Sequence, residues 1–135
     1  MTAHLPSPRV VLSYGVFDRL TPAHAHRLQI LSKMGSDLII GCATDAFCAR
    51  QGWQPKMRYA QRRALLESCR FVDRVIAQDS LSQKRTDIVN YNACIVALAA
   101  QYEGCFDDLR DLAQVRYLPQ MPEFISKDIP MVAVG

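Results

Sequence analysis

The chain predicts an α/β fold: a doubly wound parallel sheet of five strands with helices on both faces. Three observations predict it. Short, bounded apolar runs alternate with segments of helical spacing along the chain, and no internal repeat, low-complexity tract or Gly/Ser linker interrupts them. The length of 135 residues, half of them hydrophobic, suffices for one sizeable core and is too short for two ordinary domains. One domain over residues 1–135 is therefore the expectation.

Taken in order, Arg9 to Tyr14 (RVVLSY) is a β-branched apolar run suited to a buried first strand. Pro22 suits the first turn of a helix, along which Leu28, Leu31 and Met34 recur at helical spacing until Gly35 stops it. Asp37 to Ala43 (DLIIGCA) reads as the second strand, and Thr44 or Asp45 can cap a short helix over Ala46 to Arg50. Gly52 to Lys56 is a loop, and a helix from about Tyr59 to Cys69 turns Ala64, Leu65 and Cys69 toward a core. Phe71 to Ala77 is the expected third strand, Lys84 to Tyr91 a polar helix and Ala93 to Ala100 the fourth strand. A helix around Phe106 to Ala113 and a fifth strand, Val115 to Leu118, complete the alternation. In such sheets ligands bind beyond the carboxyl ends of the strands near the topological switch point, which directs attention to the loop after Tyr14.

Composition excludes several classes. No stretch approaches the roughly 18 apolar residues of a membrane span, and Met1 to Arg9 lacks the apolar core of a signal peptide, so a cytoplasmic protein without membrane contact is expected. Five cysteines without a Cys-x-x-Cys spacing argue against a disulfide framework or structural zinc and suit reduced, mostly buried thiols. His4, His24 and His26 lack metal-ligand spacing, so no metal site made only of protein ligands is expected. A net charge of +3 is too small to signal nucleic-acid binding. The positive residues Arg50, Lys56, Arg58, Arg62, Arg63, Arg70 and Arg74 are nevertheless opposed only by Glu67 and Asp73, which reads either as a solvated helix face or as a seat for a small polyanion.

The loop after the first strand reads Gly15-Val16-Phe17-Asp18-Arg19-Leu20-Thr21-Pro22-Ala23-His24. Gly15 allows close backbone approach to phosphate, Phe17 can pin the loop to the core, and Asp18 can accept hydrogen bonds that hold the turn. Thr21 and His24 lie three apart at a helix start, where both can face an anion drawn by free N–H groups; Thr21 can equally be only an N-cap.

This loop resembles the G-x-F-D-x-x-(H/T)-x-G-H signature of the nucleotidylyltransferase superfamily. Further matches to the glycerol-3-phosphate cytidylyltransferase pattern follow in order: Tyr14-Gly15, Thr44-Asp45-x-Phe47, Arg62, Phe71-Val72-Asp73-x-Val75-Ile76, Glu103-Gly104-x-Phe106-Asp107 and Tyr117-Leu118-Pro119. The resemblance covers about Val10 to Ile129. It implies a five-stranded Rossmann-like domain, a homodimer through surface near Gly52 to Arg58, and transfer of CMP from CTP, with Mg²⁺, to a small alcohol phosphate. By this resemblance His24 and Thr21 are the catalytic donors. Tyr14, Gly15, Val16, Phe17, Asp18, Ala23, Lys56, Arg58, Arg62, Ser126 and Lys127 are the nucleotide-binding set.

Several positions depart from the family pattern. Ala23 replaces the glycine before the final histidine, Gln51 and Trp53 replace basic residues, and Ala99-Ala100-Gln101-Tyr102 replaces Gly-Asp-Asp-Trp. Gln120 replaces the arginine of the closing R-T-x-G-I-S motif, losing a planar cation suited to triphosphate. Lys56, Arg58 and Lys127 are near enough in sequence to compensate. These changes predict weak nucleotide binding and low or absent transfer. Two alternatives stand beside a cytidylyltransferase: a non-catalytic nucleotide or phosphate sensor, and an adenylyltransferase, since Thr21 and Phe124-Ile125-Ser126 resemble phosphopantetheine adenylyltransferases.

Overall fold

The computed structural model describes residues 9–119. Five strands, β1 (Val10–Gly15), β2 (Asp37–Ala43), β3 (Arg74–Gln78), β4 (Ala93–Ala99) and β5 (Gln114–Leu118), pair in the order β3-β2-β1-β4-β5. All four pairings are parallel, as the alternation of strand and helix dictates. The helices are α1 (Pro22–Ser32), α2 (Asp45–Gln51), α3 (Tyr59–Glu67) and α4 (Lys84–Tyr91). This is the Rossmann-like architecture expected from the sequence.

Alternation along the strands divides the interior in two. Val11, Leu38, Ile40, Val75 and Ile95 face one side and bury Ala25, Leu28 and Leu31 of α1 with Leu66 of α3. Leu12, Ile39, Ile76, Val96 and Val115 face the other and bury Ile88 of α4 with Leu109. The sheet therefore separates α1 and α3 from α4. Winding reverses between β1 and β4, and this switch point puts a crevice at their carboxyl ends.

Four expectations are corrected in detail. β3 begins at Arg74 rather than Phe71, because Asp73 closes a turn on β2: its carboxylate accepts from the Leu38 N–H at 2.7 Å and its own N–H donates to the Leu38 carbonyl at 2.9 Å. Phe71 and Val72 pack on the core from that turn. α1 ends at Ser32, and the chain tightens so that Met34 N–H reaches the Leu31 carbonyl. On α3 the buried apolar residue is Leu66, whereas Ala64 is exposed. The segment expected as a helix at Phe106 to Ala113 is a 3₁₀ turn over Asp107–Asp111, held by Tyr117, whose hydroxyl accepts from Phe106 N–H and donates to the Asp107 carboxylate. Cys42, Cys48 and Cys69 are buried, while Cys94 and Cys105 are exposed.

Candidate active site

The loop between β1 and α1 is unusual in its backbone. Phe17, Arg19 and Leu20 have φ of 53°, 64° and 38°, a region that L-residues seldom occupy and that is tolerated where surrounding contacts enforce it. Those contacts are identifiable. The Phe17 ring folds back over Gly15, where a β-carbon would come within 2.7 Å of it, and is itself buried in the α1-side core. Leu20 is buried beside it. Asp18 accepts from the backbone N–H groups of Lys56 (2.8 Å) and Met57 (3.0 Å), so it ties this loop to the segment before α3 rather than closing its own turn. Those two N–H groups hold its carboxyl below the usual range against the opposing effect of desolvation, which is the largest influence on it.

Thr21 and His24 cap α1 reciprocally. The Thr21 hydroxyl accepts from His24 N–H at 3.3 Å, and His24 Nδ1 accepts from Thr21 N–H at 3.0 Å. An imidazole whose Nδ1 accepts carries its proton on Nε2, which remains available to donate. Desolvation, and then the charge of nearby Arg27, hold His24 below the ordinary histidine pKa, so the neutral tautomer prevails at pH 7. The Phe17 ring meets the imidazole edge-on at 5.4 Å and limits its rotation.

A cleft of about 370 Å³ opens at the carboxyl ends of β1 and β4. Among the expected site residues, Tyr14, Gly15, Val16, Phe17 and His24 line it. Thr21, Asp18, Ala23, Lys56 and Arg58 lie outside its lining, with Lys56 and Arg58 exposed. Ser126, Lys127 and Gln120 lie outside the described residues.

Arg62 occupies a different environment from the one a nucleotide ligand would need. Its side chain is fully buried, and its guanidinium donates to the carbonyls of Met57 (2.9 Å), Val16 (2.9 Å) and Ala43 (2.7 Å) and to Asp45 (2.9 Å). It therefore joins the β1–α1 loop, the end of β2 and the start of α3. The basic run from Arg50 to Arg74 is likewise dispersed. Arg63 binds Glu67, Tyr59 and the Val75 carbonyl, Arg74 lies over the Tyr91 ring, and Arg70 lies over the Phe71 ring.

The cations that do line the cleft are Arg27 and Lys84, and no carboxylate of the described residues lines it. Lys84 opens α4 and is buried between two rings, its Nζ 4.7 Å from the centre of Tyr14 and 4.4 Å from that of Phe106. Burial lowers its pKa to about 8, against the opposing pull of Asp87. Asp87, one turn further along α4, accepts from the Tyr14 hydroxyl at 2.7 Å and from Gln83 at 2.9 Å. Burial and this carboxylate push the Tyr14 phenol far above its usual pKa, so it stays a neutral donor. Trp53, at 37% exposure, stands edge-on to Phe47 at the rim. Sequence reasoning missed both cations. Arg27 is three residues after His24 and so shares its helix face, and Lys84 starts the helix after a carboxyl strand end, two signals that were present in the sequence.

A parallel Rossmann-like sheet with a cleft at its switch point, lined by two cations, is an architecture that suits nucleotide binding. The comparisons narrow it: residues 12–129 match the cytidylyltransferase-like family, and the chain belongs to that family. It is 34% identical over 110 residues to the glycerol-3-phosphate cytidylyltransferase of Bacillus subtilis (strain 168), covering 82% of this chain and 85% of that protein. It is also 34% identical over 108 residues to the glycerol-3-phosphate cytidylyltransferase of Staphylococcus aureus (strain NCTC 8325 / PS 47), covering 80% and 82%. The lipopolysaccharide core biosynthesis protein from Thermoplasma volcanium GSS1 shares the fold, with a TM-score of 0.73 at 21% identity over 86% of this chain and all of that one. No helix of the described residues is long and apolar enough to cross a membrane.

Proposed function

We propose that this protein transfers CMP from CTP to a small alcohol phosphate and releases pyrophosphate. The observation that supports this most is His24, fixed as a neutral Nε2–H donor at the start of α1 in a cleft lined by cations. An oxygen of the acceptor phosphate attacks the α-phosphorus, the new P–O bond forms, and the bond to the β-phosphate oxygen breaks with its electron pair leaving on pyrophosphate. The protein needs no covalent intermediate; it needs donors already placed where charge moves. His24 Nε2 donates to the α-phosphate, and Lys84 faces the anionic acceptor from the opposite side of the sheet.

Thr21 acts in this scheme by orienting His24. Tyr14, held by Asp87, keeps the Lys84 side chain against its ring. Mg²⁺ fits as a companion of the triphosphate rather than as a resident of the protein. Among the described residues no carboxylate lines the cleft, and no group of three or more His, Cys, Asp or Glu able to hold a metal occurs.

Turnover is slow in this reading, because Gln51, Trp53 and Gln101 are uncharged where family members carry charge and Ala23 adds a methyl where family members have glycine. The reading places the protein in the cytoplasm as a homodimer. Light scattering at micromolar concentration tests the dimer, and a monomer refutes it. The activity itself is tested by CTP-dependent pyrophosphate release with glycerol 3-phosphate, comparing the parent with His24→Ala.

A further inference from the structure

Arg27 is half-buried, lines the cleft, and makes no ion pair or hydrogen bond among the described residues. Its described neighbours do not compensate it: desolvation moves its pKa downward, with no carboxylate among the described residues to oppose the shift. It also repels protonation of His24, which puts the two side chains within electrostatic reach of each other on one face of α1. A partly desolvated guanidinium without a counter-ion costs folding free energy, and that cost is relieved when an anion arrives.

The placement of Arg27 specifies which anion. In-line displacement at phosphorus requires the attacking and departing oxygens to lie on opposite sides. α1 packs on one face of the sheet and α4 on the other, so Arg27 and Lys84 approach the cleft from opposite sides. Lys84 is a single point charge enclosed by Tyr14 and Phe106, suited to one phosphate on an organic body. Arg27 offers a planar fork of donors, suited to two linked phosphates.

We infer that Arg27 seats the β- and γ-phosphates of the nucleotide and holds the departing pyrophosphate. The inference rests on the transfer reading for the name of the ligand, and on cleft geometry for the anion site itself. It assigns to α1 a cation that offsets the charge missing at Gln51 and Trp53.

The test is a titration of inorganic pyrophosphate, and separately of CMP, into the parent, Arg27→Met and Arg27→Lys, read by the fluorescence of Trp53, the single tryptophan. Arg27→Met is expected to weaken pyrophosphate at least about tenfold and leave CMP within about twofold, with Arg27→Lys between. Thermal unfolding of Arg27→Met is expected at or above the parent temperature, since an uncompensated cation is removed. Equal pyrophosphate affinity in parent and Arg27→Met overturns the inference. So does an equal loss of CMP, or a parent that binds no pyrophosphate. Arg27-dependent pyrophosphate binding without any CTP-dependent release refutes the transfer reading and supports the anion seat. Release with unchanged pyrophosphate affinity in Arg27→Met refutes the anion seat and supports transfer.

Discussion

Replacing Arg62 with methionine removes every donor of a guanidinium that is fully buried, while keeping a long side chain in place. The Ala43 carbonyl it leaves behind is buried, and an unsatisfied buried acceptor costs about 1–3 kcal/mol. The Met57 and Val16 carbonyls are only part-buried, so each regains water and costs about 0.5–1 kcal/mol. Asp45 has a side chain 56% exposed and is readily hydrated, so the lost ion pair adds little. The sum is about 2–5 kcal/mol, a large part of the 5–15 kcal/mol of a typical domain. At about 3–5 °C per kcal/mol for a chain of this size, the unfolding temperature by circular dichroism should fall by about 6–25 °C. Arg62→Lys should recover only a fraction, since one ammonium cannot span acceptors on three segments. A variant within about 0.5 kcal/mol of the parent would mean that Arg62 lies on a solvated face and refute the reasoning.

The remaining predictions concern the cleft. Burial holds Lys84 near 8 in the fold against 10.5 for the free side chain, so between these values the unfolded chain binds more protons and stability rises with pH. Lys84→Met should abolish that rise in urea midpoints measured from pH 8 to 10.5, and an unchanged slope would refute the assignment. Because an anion favours charged Lys84, binding of glycerol 3-phosphate at pH 8 should take up protons, seen calorimetrically as a dependence of enthalpy on the buffer; no dependence would contradict it. Thr21→Ala removes the α1 cap, with an expected loss of about 1 kcal/mol in denaturation and a lower transfer rate through a looser His24. An unchanged rate would show that the cap does not orient the imidazole.

The sheet was legible because its strands announce themselves: Arg9 to Tyr14 and Asp37 to Ala43 are apolar, β-branched and bounded, which leaves little choice but a buried parallel strand. Phe71-Val72 misled for the same reason, since apolar residues that pack from a turn look like those of a strand until Asp73 is seen bonding to Leu38. The site was legible where chemistry is local in sequence. Thr21 and His24 sit on one turn, and Phe17 and Asp18 hold the loop. Charge counted without geometry was less informative. The run from Arg50 to Arg74 read either as a solvated helix face or as a polyanion seat, and the structure disperses it: Arg62 is consumed by backbone carbonyls and Arg63 by its neighbours. The cations of the cleft are instead single residues, Arg27 and Lys84, brought together from helices on opposite sides of the sheet. A linear scan for charge clusters gives isolated cations no weight.

The proposed transfer turns on His24 as the donor to the α-phosphate. The measurement that bears on it most directly is pyrophosphate release from CTP and glycerol 3-phosphate, with circular dichroism confirming that each variant is folded. The account predicts slow, acceptor-dependent release by the parent and a fall of about 10²-fold or more in His24→Ala, as for loss of one oxyanion donor. No release by the folded parent, or release that His24→Ala leaves intact, would contradict it.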